Sequence, residues 1–190
     1  HKSLGLGEEN YRFHDHEKLA HYADAATDIE FNFPFGFKEL EGIHSRTDFD
    51  LKQHEEYSGK KLQYFDHEEN ASYTPYVLET SIGLDRMFLA VFSNSLQDET
   101  LEDGSERTVL KLPAVLAPTK AAVLPLVRKD EALTKMAKDI VDDLKWDFNV
   151  DYDEKDAVGR RYRRQDAAGT PFCITVDGES LEDNTVNIRH

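Results

Sequence analysis

The sequence predicts an α+β protein of two unlike halves, an antiparallel sheet with a helix followed by a small mixed α/β domain. Three observations predict this division. Residues 1–112 contain strand-like segments separated by loops or one helix without regular βαβ spacing. Residues 113–190 alternate strand patterns with helical ones. The acidic, polar stretch 95–108 interrupts the apolar pattern, so we expect it to be a linker or mobile loop.

The elements of the first half follow from alternation and β-branched content. The predicted strands are residues 28–33, 38–46 and 74–83. Residues 47–60 predict a helix capped by Thr47 or Asp48. A turn at Gly83 then leads into an amphipathic helix. This order favours an antiparallel sheet.

The spacing of apolar residues changes in the second half of the chain. A strand is predicted over 119–127, where Pro125 indicates an edge position or an early end. Apolar residues then recur at helical spacing and predict a helix over 131–146. A strand in 148–153, a short helix through Arg164, and strands in 171–177 and 185–190 complete a β-α-β-α-β-β order, with a turn over 178–184.

Composition narrows the class of protein. The chain is 39% hydrophobic and 32% charged, as expected for a globular protein of one or two domains. No apolar run approaches the roughly 18 residues of a membrane span. The single cysteine, Cys173, excludes an internal disulfide and fits a reducing compartment, and we expect it to be a small buried residue in a strand.

The net charge of −15 is unevenly distributed. Residues 1–112 hold 11 basic and 23 acidic residues, whereas residues 113–190 hold 12 and 15. The second half also concentrates four arginines within five positions, which makes its field locally positive. A basic cluster on an acidic background is compatible with specific docking of RNA and argues against indiscriminate nucleic-acid binding.

The most informative segment is YVLETSIGLDRMFLAVF, residues 76–92. An apolar strand ends in Glu79 and Ser81, turns at Gly83 and enters a helix whose first turn carries Asp85 and Arg86. An acid, a hydroxyl and a guanidinium thus meet at a helix N-terminus, which already favours anions. This layout predicts a phosphorylated ligand.

The pattern E-x-S-x-G-x-D-R resembles motif 3 of class II aminoacyl-tRNA synthetases, in the form found in glycyl-tRNA synthetases. Residues 11–31 and 33–54 are similar to catalytic segments of that family, and residues 116–126, 159–177 and 185–189 to its anticodon-binding domain. The resemblance implies a partial class II catalytic core in residues 1–112 and an anticodon-binding domain, itself truncated, in residues 113–190. Motifs 1 and 2 lie outside these residues, so we expect a fragment that is inactive alone.

The resemblance also implies the chemistry of a glycine–tRNA ligase. Its expected ligands are glycine, ATP with Mg²⁺, and tRNA(Gly), in a cytoplasmic homodimer without membrane contact. Glu39 and Glu79 would hold the glycine ammonium, Arg46 its carboxylate, and Ser81 would close the pocket. Arg86 would stack on the adenine and approach the γ-phosphate. The alternative is a non-catalytic synthetase-like protein that keeps the fold for nucleic-acid binding or scaffolding.

Two further patterns concern binding. Arg160, Arg163 and Arg164 share one helical face and are expected to contact tRNA, the alternative being a solvated face paired with Asp156 and Asp166. His14, His16 and His21 do not follow the usual ligand spacing of zinc sites, and no cysteine accompanies them. We therefore expect no metal site among these three histidines.

Overall fold

The structure is a computed structural model that describes residues 1–190 and divides into two compact regions. The sheet region comprises residues 7–90, and the α/β region comprises residues 1–6 and 91–190. Four antiparallel strands in the order β1-β2-β3-β6 form the centre of the sheet region. Their bounds are β1 Tyr11–Asp15, β2 Ala25–Phe33, β3 Gly36–Ser45 and β6 Leu78–Ile82.

The β2–β3 hairpin is the longest pairing of this sheet. Phe31 and Phe33 are buried and alternate with exposed or half-buried polar residues, as expected for a strand with one covered face. Gly36 begins β3 with φ of +96°, a conformation that favours glycine after so tight a turn. The three strands predicted in the first half are confirmed, and β2 begins earlier than predicted.

Helix α1, Phe49–Ser58, confirms the predicted helix between these strands. Asp48 occupies the cap position, but its carboxylate pairs with Lys52 at 2.5 Å instead of capping the helix. The backbone N–H of Phe49 donates to Thr47 Oγ1 at 3.4 Å. Both candidate cap residues therefore act at the helix start, by different contacts.

Three further elements belong to the first half of the chain. Strand β1 was not predicted, because its sequence YRFHD is mostly polar and Phe13 remains 74% exposed. A small hairpin of β4, Tyr64–Asp66, and β5, Ala71–Tyr73, was also not predicted. Helix α2, Leu84–Ser95, confirms the helix predicted after Gly83.

The α/β region is built on a mixed sheet in the order β10-β9-β11-β12. Strand β9 pairs parallel with β10 and β11, and β12 pairs antiparallel with β11. The elements are β9 Ala121–Pro125, α3 Glu131–Leu144, β10 Val150–Tyr152, α4 Val158–Ala168, β11 Phe172–Val176, α5 Gly178–Asp183 and β12 Asn187–Arg189. This order confirms the predicted mixed α/β arrangement.

The core of the α/β region lies around β9. Val123, Leu133, Ala137 and Val176 are buried together where α3 covers the sheet, and Asp130 caps α3 through the N–H groups of its first turn. Ala122, Leu124 and Cys173 form a second buried cluster. Strand β9 ends at Pro125, as predicted, but it is a central strand and not an edge strand.

Two connections predicted as irregular are regular in the structure. Most of residues 95–108 form a hairpin of β7, Leu96–Thr100, and β8, Glu106–Leu110. The polar composition misled the prediction, because this two-stranded ribbon is stabilised by cross-strand polar pairs such as Glu99 with Arg107. The predicted turn over 178–184 is helix α5, whose start carries a capping box of Asp177 and Ser180.

Candidate functional site

The sheet region presents one polar face, which we define by the register of its strands. His14, Asp28, Gly42 and Ser81 lie opposite one another in a row across the four strands. Directly opposed residues share a face of the sheet. The adjacent row places His44 opposite Glu79. The sequence places these residues far apart, and the antiparallel pairing brings them together.

Arg46 is the most strongly held cation of this polar face. Its Nε and Nη2 donate to the two carboxylate oxygens of Asp50 at 2.5 and 3.0 Å, and its Nη1 donates to Glu79 at 2.7 Å. Its guanidinium also lies over the ring of Tyr22, 4.1 Å from the centroid. The Asp50 hydrogen bonds, followed by the Glu79 bond, raise the pKa of Arg46 further above its ordinary value.

The pKa of Asp50 shifts in the opposite direction. Hydrogen bonding to Arg46 lowers the pKa of the Asp50 carboxyl, so the pair stays ionised at neutral pH. Because Arg46 carries five N–H donors and uses three in these bonds, two donors on its Nη atoms remain for another anion. Asp50 and Tyr22 were not among the predicted site residues, although Asp50 follows Arg46 by four positions.

Glu39 and Arg86 form a second pair on the polar face. Arg86 Nη1 lies 3.3 Å from Glu39 Oε2 and donates to the Glu39 carbonyl at 2.7 Å. Both side chains are about half exposed. At the rise of a β-strand, Glu39 and Arg46 lie roughly 20 Å apart along β3. The structure therefore joins Glu39 to Arg86 and Glu79 to Arg46, with Ser81 exposed in a row between them.

Three ligating side chains also converge on this face. His16 Nε2 lies 2.9 Å from Asp28 Oδ2, and the rings of His16 and His44 are 6.0 Å apart, edge to face. Sequence reasoning missed this group because His44 lies 28 positions beyond His16 and joins it only through the strand pairing. His21 instead packs against Tyr22 and Phe49.

The four arginines of α4 divide into three kinds. Arg161 is buried and donates to the carbonyls of Pro125, Lys155 and Asp156, so it is structural. Arg164 pairs with Asp153 at 2.7 Å and with Asp156 at 2.9 Å. The side chains of Arg160 and Arg163 are exposed and form no ion pair, although the charge of Arg163 contributes to lowering the pKa of the Asp103 carboxyl.

Asp166 does not pair with this arginine face. It accepts from Arg107 at 3.0 Å and from Arg189 at 2.8 Å, and this network lines a cleft of about 400 Å³ in the α/β region. Of the two acids suggested as partners of the arginine run, only Asp156 takes that position. The face that Arg160 and Arg163 present is therefore a local excess of positive charge.

Cys173 lies in β11, 2% exposed, and confirms the prediction of a small buried residue. Burial raises the pKa of its thiol to about 11, which keeps it protonated and unreactive at neutral pH. No helix of the structure combines the length and the apolar character needed to cross a bilayer.

Comparison with known proteins identifies the class of the second half first. Residues 120–190 match the family model described as an anticodon binding domain. This match agrees with the expectation for the second half, and it covers the mixed sheet and the arginine-bearing helix α4.

Comparison of the whole chain with curated proteins is more specific. It is 52% identical over 189 residues to the glycine–tRNA ligase of Chlorobaculum tepidum, covering all of this chain and 40% of the relative. The identity to the glycine–tRNA ligase of Geobacillus kaustophilus is 53%, over 98% of this chain and 40% of the relative. The chain is thus similar over essentially its whole length to glycine–tRNA ligases, the proteins whose motifs its sequence resembles, and spans about 40% of their length.

Proposed function

We propose that this chain serves a glycine–tRNA ligase, which activates glycine with ATP and transfers it to tRNA(Gly). The observation that carries the proposal is an identity of 52–53% to proteins of that name over essentially the whole chain. This similarity includes both the residues of the polar face and the residues that match the anticodon-binding domain. The homodimeric, cytoplasmic enzyme expected from the sequence is part of the proposal.

The pair formed by Arg46 and Glu79 matches the charges of glycine. A guanidinium and a carboxylate 2.7 Å apart offer partners for the carboxylate and the ammonium of one small zwitterion. Asp50 and Tyr22 fix the orientation of Arg46 and leave two of its donors for the ligand. Ser81, on the neighbouring row, would close the space beside the glycine α-carbon.

The second pair supplies the nucleotide side of the proposal. Arg86, at the start of α2, would contact the adenine face and the γ-phosphate of ATP, which a planar guanidinium can do. Glu39, the second acid that the resemblance assigns to the glycine ammonium, pairs with Arg86 at 3.3 Å and lies roughly 20 Å from Arg46, so this proposal places it on the nucleotide side. Mg²⁺ would accompany ATP, held mainly by phosphate oxygens, and the exposed Glu39 carboxylate is the kind of oxygen donor it accepts.

The tRNA would approach the arginine face of α4. The side chains of Arg160 and Arg163 are exposed and form no ion pair, which suits contacts with phosphates or anticodon bases. Arg164 belongs to the same proposed surface, although Asp153 and Asp156 already compete for it.

A chimera tests the proposal directly. The matching segment of the Geobacillus kaustophilus ligase is replaced by residues 1–190, and glycine-dependent pyrophosphate exchange and charging of tRNA(Gly) are measured. We expect both activities, with alanine in place of glycine as the negative control. The 190-residue chain alone should give no exchange, because motifs 1 and 2 are not in it.

Two outcomes would contradict parts of the proposal. A folded chimera that binds tRNA(Gly) but neither exchanges nor charges would favour the non-catalytic alternative. A folded chimera that neither binds tRNA(Gly) nor shows exchange or charging activity would contradict the ligase assignment of this chain. Circular dichroism and thermal melting establish that the chimera is folded before either conclusion is drawn.

A further inference from the structure

Three side chains, one directly after β1, one in β2 and one in β3, bring atoms that can bind a metal together on the polar face. One ligand atom from each of His16, Asp28 and His44 lies within 4.8 Å of the other two. The side chains of His16, Asp28 and His44 are 35%, 16% and 27% exposed, so the group is shielded on the sheet side and open on the other. His16 directly follows β1 and donates its backbone N–H to the Ala26 carbonyl, and His44 lies in β3, so the pairing of β1 and β3 with β2 fixes both positions around Asp28.

Gly42 makes this convergence sterically feasible. A Cβ atom at Gly42 would lie 3.1 Å from His44 Cε1 and 3.5 Å from Asp28 Oδ1. The His44 ring therefore lies over the bare backbone of Gly42 and turns toward Asp28. Its Nε2 is 3.7 Å from the same point, on the side of the Asp28 carboxylate.

The other nitrogen of His44 also has a suitable neighbour. His44 Nδ1 lies 3.9 Å from Glu79 Oε2. Histidines that ligate a metal usually present their second ring nitrogen to a carboxylate or carbonyl, which fixes the tautomer and the ring orientation. The Glu79 carboxylate is therefore close to the second nitrogen of His44 but beyond hydrogen-bond distance, and its Oε2 accepts from Arg46 Nη1 at 2.7 Å.

We propose that His16, Asp28 and His44 bind a divalent transition-metal ion of the zinc type. Two imidazoles and one carboxylate are ligands of Zn²⁺ and its neighbours in the first transition series, whereas Mg²⁺ and Ca²⁺ prefer sets made of oxygen atoms. Three protein ligands leave at least one position for water or another small ligand. The proposal concerns metal binding alone and does not depend on the proposed ligase function.

Metal titration of the untagged 190-residue chain tests the site. Zn²⁺ binding is followed by calorimetry, and Co²⁺ binding by its visible absorption. We expect one equivalent to bind. His16→Gln and His44→Gln should each weaken binding by more than Glu79→Gln, for which a loss of about 10- to 100-fold is typical of an outer-sphere partner.

His14→Gln is the matched control. His14 lies in β1, two residues before His16, but its Nδ1 is 3.5 Å from Glu30 Oε1 instead of facing Asp28 and His44. The His14→Gln variant should bind Zn²⁺ with the same affinity as the unmodified chain. Equal loss in His14→Gln and His16→Gln, or unchanged binding by His44→Gln, would overturn the assignment.

A measurement on the unmodified protein covers the case in which a variant fails to fold. X-ray absorption of the zinc-loaded chain counts the imidazoles around the metal, and we expect two. Fewer than two imidazoles, or no binding of either metal, would show that His16 and Asp28 form only a hydrogen-bonded pair.

Discussion

The two sheets of this protein differ in how completely they are covered. In β9 the residues Ala121 to Leu124 are at most 3% exposed, and the strand reads as a continuous apolar run because both of its faces are buried. In β6 Leu78 is 77% exposed and Ile82 is 46% exposed. These two side chains lie on the face opposite Glu79 and Ser81, so β6 is exposed even on its apolar side, whereas β9 is buried on both faces.

Charged side chains are used differently in the two regions. In the α/β region Arg161 is internal, and Arg107 and Arg189 converge on Asp166. On the polar face of the sheet region, Arg46 and Arg86 pair with acids that a ligand of matching charge could replace. Burial, and not the density of arginines, therefore distinguishes the arginines that hold the fold together from those that a ligand could contact.

The largest expected effect tests the difference in burial between β9 and β6. Leu124→Ala should destabilise the α/β region by about 2–5 kcal/mol, because it removes a fully buried side chain and leaves a cavity. The matched change Leu78→Ala, on a side chain 77% exposed, should cost roughly 0.5 kcal/mol or less. Hydrogen exchange followed by mass spectrometry measures the two regions separately.

Equal losses of protection in the two variants would break the comparison. That outcome would mean that Leu78 is covered in solution and that the exposure of β6 is not a property of the protein.

The second prediction concerns the open polar face. In the chimera, Arg46→Lys should lower kcat/KM for glycine by roughly ten- to hundredfold, since a point charge cannot reproduce the bonds of the fork to Asp50 and a ligand carboxylate. Arg12→Lys is the control on the same face, where Arg12 pairs with Glu30. Pyrophosphate exchange measured over a range of glycine concentrations gives kcat/KM for both variants.

Unchanged kinetics in Arg46→Lys would remove Arg46 from the glycine pocket. A loss of the same size in Arg12→Lys would assign the effect to the charge of the face as a whole.

The third prediction compares two arginines of α4. Arg161→Met leaves the carbonyls of Pro125 and Asp156 without their donor and should cost about 1–3 kcal/mol. Arg163→Met, two residues further on and exposed, should leave stability nearly unchanged. Urea unfolding monitored by circular dichroism measures both, and similar midpoints would show that the buried guanidinium is not structural.

Much of this fold could be predicted because its signals are local. Helix α3 follows from apolar residues at helical spacing, β9 from a continuous apolar run, and the hairpin partners β2 and β3 from alternation. The hairpin of β7 and β8 could not be predicted in this way, since its pairing depends on cross-strand charges in a polar sequence.

The candidate site was predictable only in part for a similar reason. Motif resemblance supplied Glu39, Arg46, Glu79, Ser81 and Arg86, whose roles stay predictions. Which of them pair is decided by strand register, which no single segment encodes. The convergence of His44 with His16 and Asp28 depends on the same register and on the missing side chain of Gly42.

The smallest expected effect concerns the exposed face of α4. Replacing Arg160 and Arg163 by Gln in the chimera should weaken tRNA(Gly) binding modestly and reduce the slope of log K against log salt by about 0.7–0.9 for each lost phosphate contact. Glycine-dependent pyrophosphate exchange should be unchanged, because the substitutions lie in the anticodon-binding domain. Filter binding across a salt series measures affinity and slope together.

Arg164→Gln sharpens this last comparison. Arg164 already pairs with Asp153 and Asp156, so a tRNA phosphate must compete with two carboxylates for it. Its replacement should therefore change the salt slope less than the replacement of Arg160 or Arg163, whose guanidinium groups form no ion pair. If Arg164→Gln instead gives the largest change of the three, the acidic pairs do not restrain Arg164 in the complex. If none of the three changes the slope, α4 presents a solvated face and the tRNA binds elsewhere on the chain.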